Sequence, residues 1–322
     1  MNIPQLSVVI IGRNEGERLE HCIRSVQAID YPQSNIETIY VDSNSTDGST
    51  ERAKALGVQQ VLSVKPERPT AAIGRNAGWR AASAPLILFL DGDTILDPDF
   101  VKVAVESFND SKIAIVSGHV RERYPQASIY QQVLNLDWIA QAGISETCGG
   151  IALMRRDILE QVNGFNSELI AGEEPEMCQR IRAKGSKILH IDQDMVLHDL
   201  AMTHWSQYWR RSVRTGHAYA EVSNLLKSNS INFWQRESRQ NFVRVSFFIS
   251  IFILGFIMNI LWFSGLVFLA LSLRSGWKSR WKSTRLMTLF WYGLHSQFQQ
   301  IPIMIGQLSY YYGKKQQLIE YK

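Results

Sequence analysis

The chain has 322 residues, which is enough for one large domain or for a domain with an appendage. Its formal net charge of +4 is too small to indicate a nucleic-acid-binding protein, and we expect no nucleic acid among its partners. The three cysteines, Cys22, Cys148 and Cys178, are far apart, which excludes a disulfide framework and zinc-ligand spacing. Because the sequence begins with a strand and lacks the pattern of a signal peptide, we expect the folded N-terminal part to lie in the cytoplasm.

Strands and helices alternate in the N-terminal part of the sequence. Apolar runs that predict buried strands lie at residues 7–11, 36–41 and 58–64. Spacing and capping residues that predict helices are found at residues 17–29, 50–56 and 71–82. This alternation is typical of a parallel, doubly wound sheet with right-handed crossovers. Since parallel strands end at one edge, we expect Asn14, Glu15 and Asp42, which follow the first two strands, to line one pocket.

A further apolar run, at residues 86–90, ends in two carboxylates separated by a glycine. Asp91 and Asp93 lie where an open parallel sheet binds ligands, and hard divalent cations prefer carboxylate oxygens. The same three residues could instead form a solvated turn that caps the next helix, since Asp97 and Pro98 make a good helix start. The sequence has no Gly-x-Gly-x-x-Gly after the first strand and no Gly-Lys-Ser, so dinucleotide and P-loop sites lose their main support.

Three later segments contain further candidate residues. Gly150 precedes an apolar run and either forms a bulge or lets the backbone approach a ligand closely. Glu173 and Glu174 precede a helix, where acidic residues also complement the helix dipole. His198 follows an apolar stretch, and a single histidine is more often a structural hydrogen-bonding residue than a ligand.

A long apolar block marks the C-terminal third. Residues 245–273 contain no charged side chain. This uncharged segment is too long for one membrane span of about 20 residues and too short for two full spans. Both flanks are basic, so the positive-inside rule favours a hairpin that bends near residues 259–265 over a single tilted span. Residues 286–312 are apolar but interrupted by His and Gln, which predicts an interfacial helix, or a helix that packs on the hairpin, rather than a span. These patterns divide the chain into a domain of residues 1–228 and a membrane-associated helical region of residues 229–322.

Four short motifs follow one another in the same order as the motifs of one enzyme family. They lie at residues 7–15, 41–49, 74–78 and 90–93. The chain is similar in these motifs to the family 2 glycosyltransferases. The resemblance implies an α/β fold of the GT-A nucleotide-diphospho-sugar transferase type, with a mostly parallel central sheet flanked by helices, followed here by a C-terminal helical membrane segment. Gly12 stands where a proline is common in the family, which alters the turn but removes no functional group.

The resemblance implies a role for each motif residue. Asp42 would contact the nucleotide base, and Arg75 would lie near the diphosphate. Asp93 would bind a metal ion, Mg²⁺ or Mn²⁺, directly, while Asp91 would hold the ribose or assist the metal. The backbone at Gly150 would lie under the donor sugar.

The family's acidic pair and a late metal ligand also have counterparts. Glu174 occupies the place of the family's catalytic base, where an aspartate is usual, and Glu173 is its nearest rival. A glutamate keeps the carboxylate but lengthens the side chain by one methylene. By analogy with similar enzymes, His198 would be a further metal ligand.

Residues 207–211 resemble the family's Gln-x-x-Arg-Trp segment. Gln207 and Arg210 match it, but Arg211 stands where processive polymer synthases have tryptophan, which weakens a processive function. These arginines would stabilise the departing nucleoside diphosphate, or would face anionic lipid.

We therefore expect a metal-dependent, inverting glycosyltransferase at the cytoplasmic face of the inner membrane. Its donor would be a nucleotide sugar, most simply a UDP-sugar, and its acceptor a hydroxyl of a lipid-linked saccharide or a polysaccharide, with membrane lipid as a further partner. Two alternatives remain open from the sequence, namely transfer to a polyprenyl phosphate and a non-catalytic membrane scaffold with this fold.

Overall fold

The computed structural model describes residues 5–313. Its strands, in chain order, are β1 (Leu6–Gly12), β2 (Ile36–Asp42), β3 (Gln60–Ser63), β4 (Leu86–Asp91), β5 (Thr94–Leu96), β6 (Ile113–Glu122), β7 (Gly143–Ser145), β8 (Ala152–Arg155) and β9 (Lys187–His198). Its α-helices are α1 (Glu17–Gln27), α2 (Ser49–Ala55), α3 (Ala71–Ala81), α4 (Phe100–Glu106), α5 (Ile129–Asp137), α6 (Arg156–Val162), α7 (Glu173–Ala183), α8 (Trp205–Ser228), α9 (Gln235–Ile257), α10 (Leu261–Lys278), α11 (Leu286–Phe298) and α12 (Gln300–Tyr311).

The chain folds into two compact units. The sheet unit comprises the described residues up to Arg123 together with Ala140–Leu200, and therefore contains every strand. The helical unit comprises Tyr124–Ile139 and the described residues from Ala201 onward. Helices α5 and α8 thus group with the C-terminal helices, whereas the sequence placed the domain boundary at residue 228.

The strands form a single sheet in the order β3-β2-β1-β4-β8-β6-β9-β5, and β7 pairs with β9. Strands β3, β2, β1 and β4 run parallel to one another, as do β6 and β9. Strand β8 is antiparallel to both of its neighbours, and β5 and β7 are antiparallel to β9. The mostly parallel α/β fold predicted from the sequence is confirmed.

Strand β1 is buried on both faces and separates two apolar cores. Val8 and Ile10 belong to the core that includes residues of α1, and Val9 and Ile11 belong to the core that includes residues of α3. Alternation of this kind follows from the two-residue period of a strand. In the register of the sheet, Ile11 pairs with Asp91 of β4, and the next residue of β1 pairs with the last residue of β2. The carboxyl ends of β1, β2 and β4 therefore meet at one edge.

Helices α9 and α10 in the helical unit are joined by a short turn. The turn, residues 258–260, contains Asn259 with a φ of 56°, a left-handed conformation that asparagine tolerates better than most residues. Among the described residues, α9 is the one helix long and apolar enough to cross a membrane, with a mean hydropathy of 1.7 over a window that is 17% buried. Helix α9 meets this criterion by its length and composition.

The interfacial helix predicted at residues 286–312 is two helices in the structure. Helix α11 ends at Phe298 and α12 begins at Gln300. Pro302 lies in the first turn of α12, and it has no N–H to donate to the preceding turn. This position explains why the helical pattern is interrupted here, although the apolar composition continues.

Candidate active site

The Asp-Gly-Asp turn at the end of β4 is held by hydrogen bonds on both sides. The N–H of Gly92 donates to the carbonyl of Ile11 at 2.8 Å, and Thr94 Oγ1 donates to the carbonyl of Asp91 at 2.7 Å. A Cβ at Gly92 would lie 3.1 Å from Glu15 Cγ and 3.3 Å from the Ile11 oxygen, so a larger residue would crowd this turn. The turn therefore fixes the spacing of the two carboxylates that flank the glycine.

His198, the last residue of β9, lies beside these carboxylates. It pairs with Thr94 of β5 in the sheet, and the N–H of the next residue, Asp199, donates to the Asp93 carbonyl at 2.9 Å. His198 Nε2 is 3.5 Å from Asp93 Oδ1, and one ligand atom each from Asp91, Asp93 and His198 lie within 4.8 Å of one another. Two carboxylates and an imidazole fit a divalent cation such as Mn²⁺ or Mg²⁺.

Arg75 links this cluster to the acidic pair of α7. Its guanidinium is buried and donates to Asp91 Oδ1 through Nη2 and to Glu173 Oε1 through Nη1, both at 2.8 Å. Burial disfavours the charged guanidinium, but the carboxylates of Asp91, Glu173 and Glu174 outweigh that cost and raise the pKa of Arg75. A Cβ at Gly150 would collide with the guanidinium, so the space that this glycine leaves is occupied by Arg75.

Glu174 lies in the first turn of α7 and is surrounded by hydrogen-bond donors. The helix begins at Glu173, four residues before the predicted start at residue 177. Glu174 Oε1 accepts from the N–H of Cys148 at 2.6 Å, from Cys148 Sγ at 3.2 Å and from Cys178 Sγ at 2.9 Å. Burial raises the pKa of Glu174, although these donors oppose the rise by stabilising the carboxylate.

The two thiols around Glu174 were not identified as site residues from the sequence. Cys178 follows Glu174 by four positions, and residues at that spacing are neighbours on a helix, so this contact could have been found. Cys148 lies outside α7 and reaches Glu174 only through the tertiary fold. Burial raises the pKa of the Cys148 thiol to about 12, so the thiol stays protonated and donates a hydrogen bond to the carboxylate.

Asn14 ties the loop after β1 to the loop after β2, whereas Asp42 and Glu15 make local contacts. Asn14, with a φ of 55°, accepts from the N–H of Thr46 at 2.8 Å and donates its own N–H to Ser45 Oγ at 2.9 Å. Asp42 is buried and accepts from the N–H of Ser45 at 2.9 Å. Glu15 forms an ion pair of 2.8 Å with the arginine three residues later. The predicted contact of Asp42 with a nucleotide base stays a prediction.

Gln207, Arg210 and Arg211 lie on α8 in the helical unit. Gln207 takes part in a capping box, in which its Oε1 accepts from the N–H groups of Thr203 at 3.0 Å and His204 at 2.9 Å. Arg210 Nε donates to a backbone carbonyl one turn earlier at 3.3 Å. The roles predicted for these three residues stay predictions.

Comparisons with known proteins give one consistent result. Residues 7–162 match the family described as glycosyl transferase family 2, and residues 135–204 match the N-terminal domain of galactosyltransferase. The chain is 27% identical to glycosyltransferase AglE of Haloferax volcanii over 57% of its own length, and 25% identical to the probable glycosyltransferase YdaM of Bacillus subtilis over 66%. It spans 63% and 54% of the lengths of these two proteins.

A solved structure extends the similarity in fold to almost the whole chain. The mannosyltransferase PcManGT from Pyrobaculum calidifontis, in complex with GDP-Man and Mn²⁺, is similar with a TM-score of 0.66. The similarity covers 98% of this chain and 89% of that protein, at 15% sequence identity. At this level of identity the likeness establishes a GT-A fold.

Proposed function

Because the chain belongs to glycosyltransferase family 2, we propose that it transfers a sugar from a nucleoside diphosphate to an acceptor hydroxyl with inversion at the anomeric carbon. The observation that carries the proposal is the position of Arg75, which bonds to Asp91 on one side and to Glu173 on the other. One buried guanidinium thereby joins a candidate metal site to a candidate acid–base pair.

Asp91, Asp93 and His198 would hold the metal ion, Mg²⁺ or Mn²⁺, in this proposal. When bound, the ion supplies positive charge that neutralises the leaving diphosphate. Arg75 keeps Asp91 in place, because its Nη2 bond leaves that carboxylate little freedom to turn. The proposed base contact of Asp42 would orient the nucleotide at the same sheet edge.

Glu174 is the proposed general base. It takes the proton of the acceptor hydroxyl as the hydroxyl oxygen attacks the anomeric carbon, while the bond from that carbon to the diphosphate oxygen breaks and the nucleoside diphosphate leaves with the electron pair. Burial raises the pKa of Glu174, which makes its carboxylate a stronger base than an exposed one. Glu173 is the nearest rival for this role, and its carboxylate is paired with the Arg75 guanidinium, which suits it to positioning that arginine.

The assignment of the base is tested with two isosteric substitutions, Glu174→Gln and Glu173→Gln. We expect Glu174→Gln to lower kcat by about 10²-fold or more with little change in donor affinity, because only the proton acceptor is lost. Glu173→Gln should mainly weaken donor binding, since it removes the negative charge that pairs with Arg75. Near-normal turnover of Glu174→Gln together with a large loss in Glu173→Gln would exchange the two roles.

The donor is identified by thermal shift with nucleotide sugars, measured with and without Mn²⁺. The donors tested include UDP-sugars, which the family resemblance suggests, and GDP-mannose, which the similar solved structure contains. We expect one donor to raise Tm selectively and only with metal, since ligands that bind the folded state stabilise it. If no nucleotide sugar raises Tm in either condition, the non-catalytic scaffold becomes the better explanation.

The proposed acceptor is a lipid-linked saccharide or a polysaccharide at the cytoplasmic face of the inner membrane. Support comes from the exposed apolar side chains of α9 and α10, which include Phe252, Phe256 and Trp262, and from the basic residues that flank this hairpin. A polyprenyl phosphate is the alternative acceptor. Its nucleophile is already anionic, so the Glu174→Gln substitution should then matter little for turnover with that acceptor.

A further inference from the structure

The helical unit contains a cavity at the start of its apolar hairpin. The cavity has a volume of about 320 Å³. It lies between the end of α8, the first three turns of α9 and the end of α12, and its lining residues are Ser223, Asn224, Lys227, Gln235, Ser238, Arg239, Phe242, Val243 and Tyr311. None of the other sites described above includes these residues.

Buried polar contacts hold the walls of this cavity in place. Gln307 of α12 donates to Ser238 Oγ at 2.6 Å and accepts from Asn241 Nδ2 at 2.9 Å, both on α9. Gln235 Nε2 donates to the carbonyl of Ser223 on α8 at 3.2 Å. Because all three helices are joined by side chains that are largely shielded from water, the cavity is preformed rather than assembled by a ligand.

The polar part of the lining is suited to an anion. Lys227 and Arg239 are both exposed and contribute two positive charges, and no carboxylate is found among the lining residues. Asn224 and Ser238 add amide and hydroxyl groups beside them. Arginine and lysine with neutral donors are the side chains that proteins use for phosphate groups.

The apolar part of the lining continues along α9. Phe242 and Val243 line the cavity, and Val243 is 60% exposed. One turn further along the helix Phe247 is exposed as well, and the exposed apolar side chains continue to Ile257 at its end. A ligand with a phosphate in the cavity would therefore have an apolar surface beside it on which hydrocarbon chains could lie.

From this combination we infer that the cavity binds the phosphate headgroup of a membrane phospholipid, whose acyl chains lie along α9. The inference rests on the proposed membrane association and does not depend on the sugar-transfer reaction. Binding would fix how deeply the hairpin enters the bilayer, since Lys227 and Arg239 would be held at the level of the phosphates.

The test measures binding of the full-length protein to phosphatidylcholine vesicles with and without phosphatidylglycerol. The pocket variant carries Lys227→Gln and Arg239→Gln. The matched control carries Arg236→Gln and Arg244→Gln, which remove the same charge from α9 outside the cavity lining. We expect the pocket variant to lose roughly 30-fold in affinity for the anionic vesicles, and the control clearly less, because only Lys227 and Arg239 line the cavity and would face the same phosphate.

Three outcomes would overturn the inference. Equal losses in the pocket variant and the control would mean that the whole basic surface acts without a specific site. Competition by soluble glycerol 3-phosphate as strong as by the lipid would indicate a soluble phosphate ligand. Unchanged vesicle binding in the pocket variant would exclude a role for the cavity. The thermal shift with the nucleotide sugar should be the same in all variants, so failure here leaves the proposed transferase activity untouched.

Discussion

Glu174 is a buried carboxylate whose ionised form, in which it can accept a proton, is stabilised by hydrogen-bond donors. One of its oxygens receives three hydrogen bonds, from one backbone N–H and two thiols. The thiols are suited to this role because burial raises the pKa of both Cys148 and Cys178, so neither gives up its proton. Burial favours the neutral acid and the donors favour the carboxylate, and the balance between them sets the pKa of Glu174.

Removing one thiol should therefore move the pH dependence of the reaction. Cys178→Ala deletes a donor to the carboxylate, so the pKa of Glu174 should rise further and the acid limb of the kcat profile should move to higher pH. Below that limb the ionised fraction falls about tenfold for each pH unit, so the loss of activity should be largest in acid and vanish on the plateau. The measurement is kcat against pH.

Cys178→Ser is the matched control, because its hydroxyl remains a donor at the same position. We expect its acid limb to stay near that of the wild type. A purely structural role for Cys178 would lower kcat equally at every pH in the alanine variant, and this result would contradict the proposed effect on Glu174.

The residue types of the site could be predicted from the sequence, but their contacts could not. Asp91 and Asp93 were recognisable from the motif order and from the apolar run that ends at a sheet edge, and Glu174 from the resemblance to the family's acidic pair. The pairing of Arg75 on α3 with Asp91 on β4 and with Glu173 on α7 depends on the tertiary fold, so no local pattern contained it. The same holds for Gly150, whose missing side chain leaves room for the Arg75 guanidinium.

Secondary structure was most predictable where an element is long and buried. Strand β1 and helix α1 have a clear apolar pattern because each buries apolar side chains against the core. Strands β5 and β7 were missed, since each has three residues and is defined by its pairing with β9. Short elements of this kind carry too few residues for a periodic signal.

Close packing of α8 against α12 depends on two glycines. A Cβ at Gly216 would collide with the backbone of Ile303, and a Cβ at Gly306 would collide with the backbone of Val213. Backbones approach this closely only where side chains are absent, as in the small-residue contacts of membrane helices. The pair therefore determines the distance between these two helices.

Gly306→Ala should destabilise the helical unit, because its new methyl group must push the helices apart. We expect a loss of about 1–3 kcal/mol in the free energy of unfolding, the range for overpacked cores. Gly265→Ala is the control, since a Cβ there meets no atom within 4 Å and alanine is the better helix former. The measurement is thermal unfolding in detergent, and equal stability of the two variants would contradict the packing argument.

The two compact units differ in how far their apolar side chains are exposed to solvent. The sheet unit encloses its apolar residues in two cores on either side of the sheet. In the helical unit, α9 and α10 leave large apolar side chains exposed, including Phe252 at 61% and Phe256 at 70%. Exposure on this scale is typical of surfaces that contact a partner or a membrane.

If this surface enters the membrane as proposed, acidic residues on it should release the protein. Phe252→Glu with Phe256→Glu places two charges in the apolar region, at a cost of roughly 3 kcal/mol for each charge at full depth. We expect the variant to move from the membrane pellet to the soluble fraction, while its thermal shift with the nucleotide sugar is unchanged. Val103→Glu, at a position that is 40% exposed on α4 of the sheet unit, should leave the distribution unaltered. A wild-type protein that high salt alone removes from the membrane would be held there by charge, and the apolar hairpin would then have another partner.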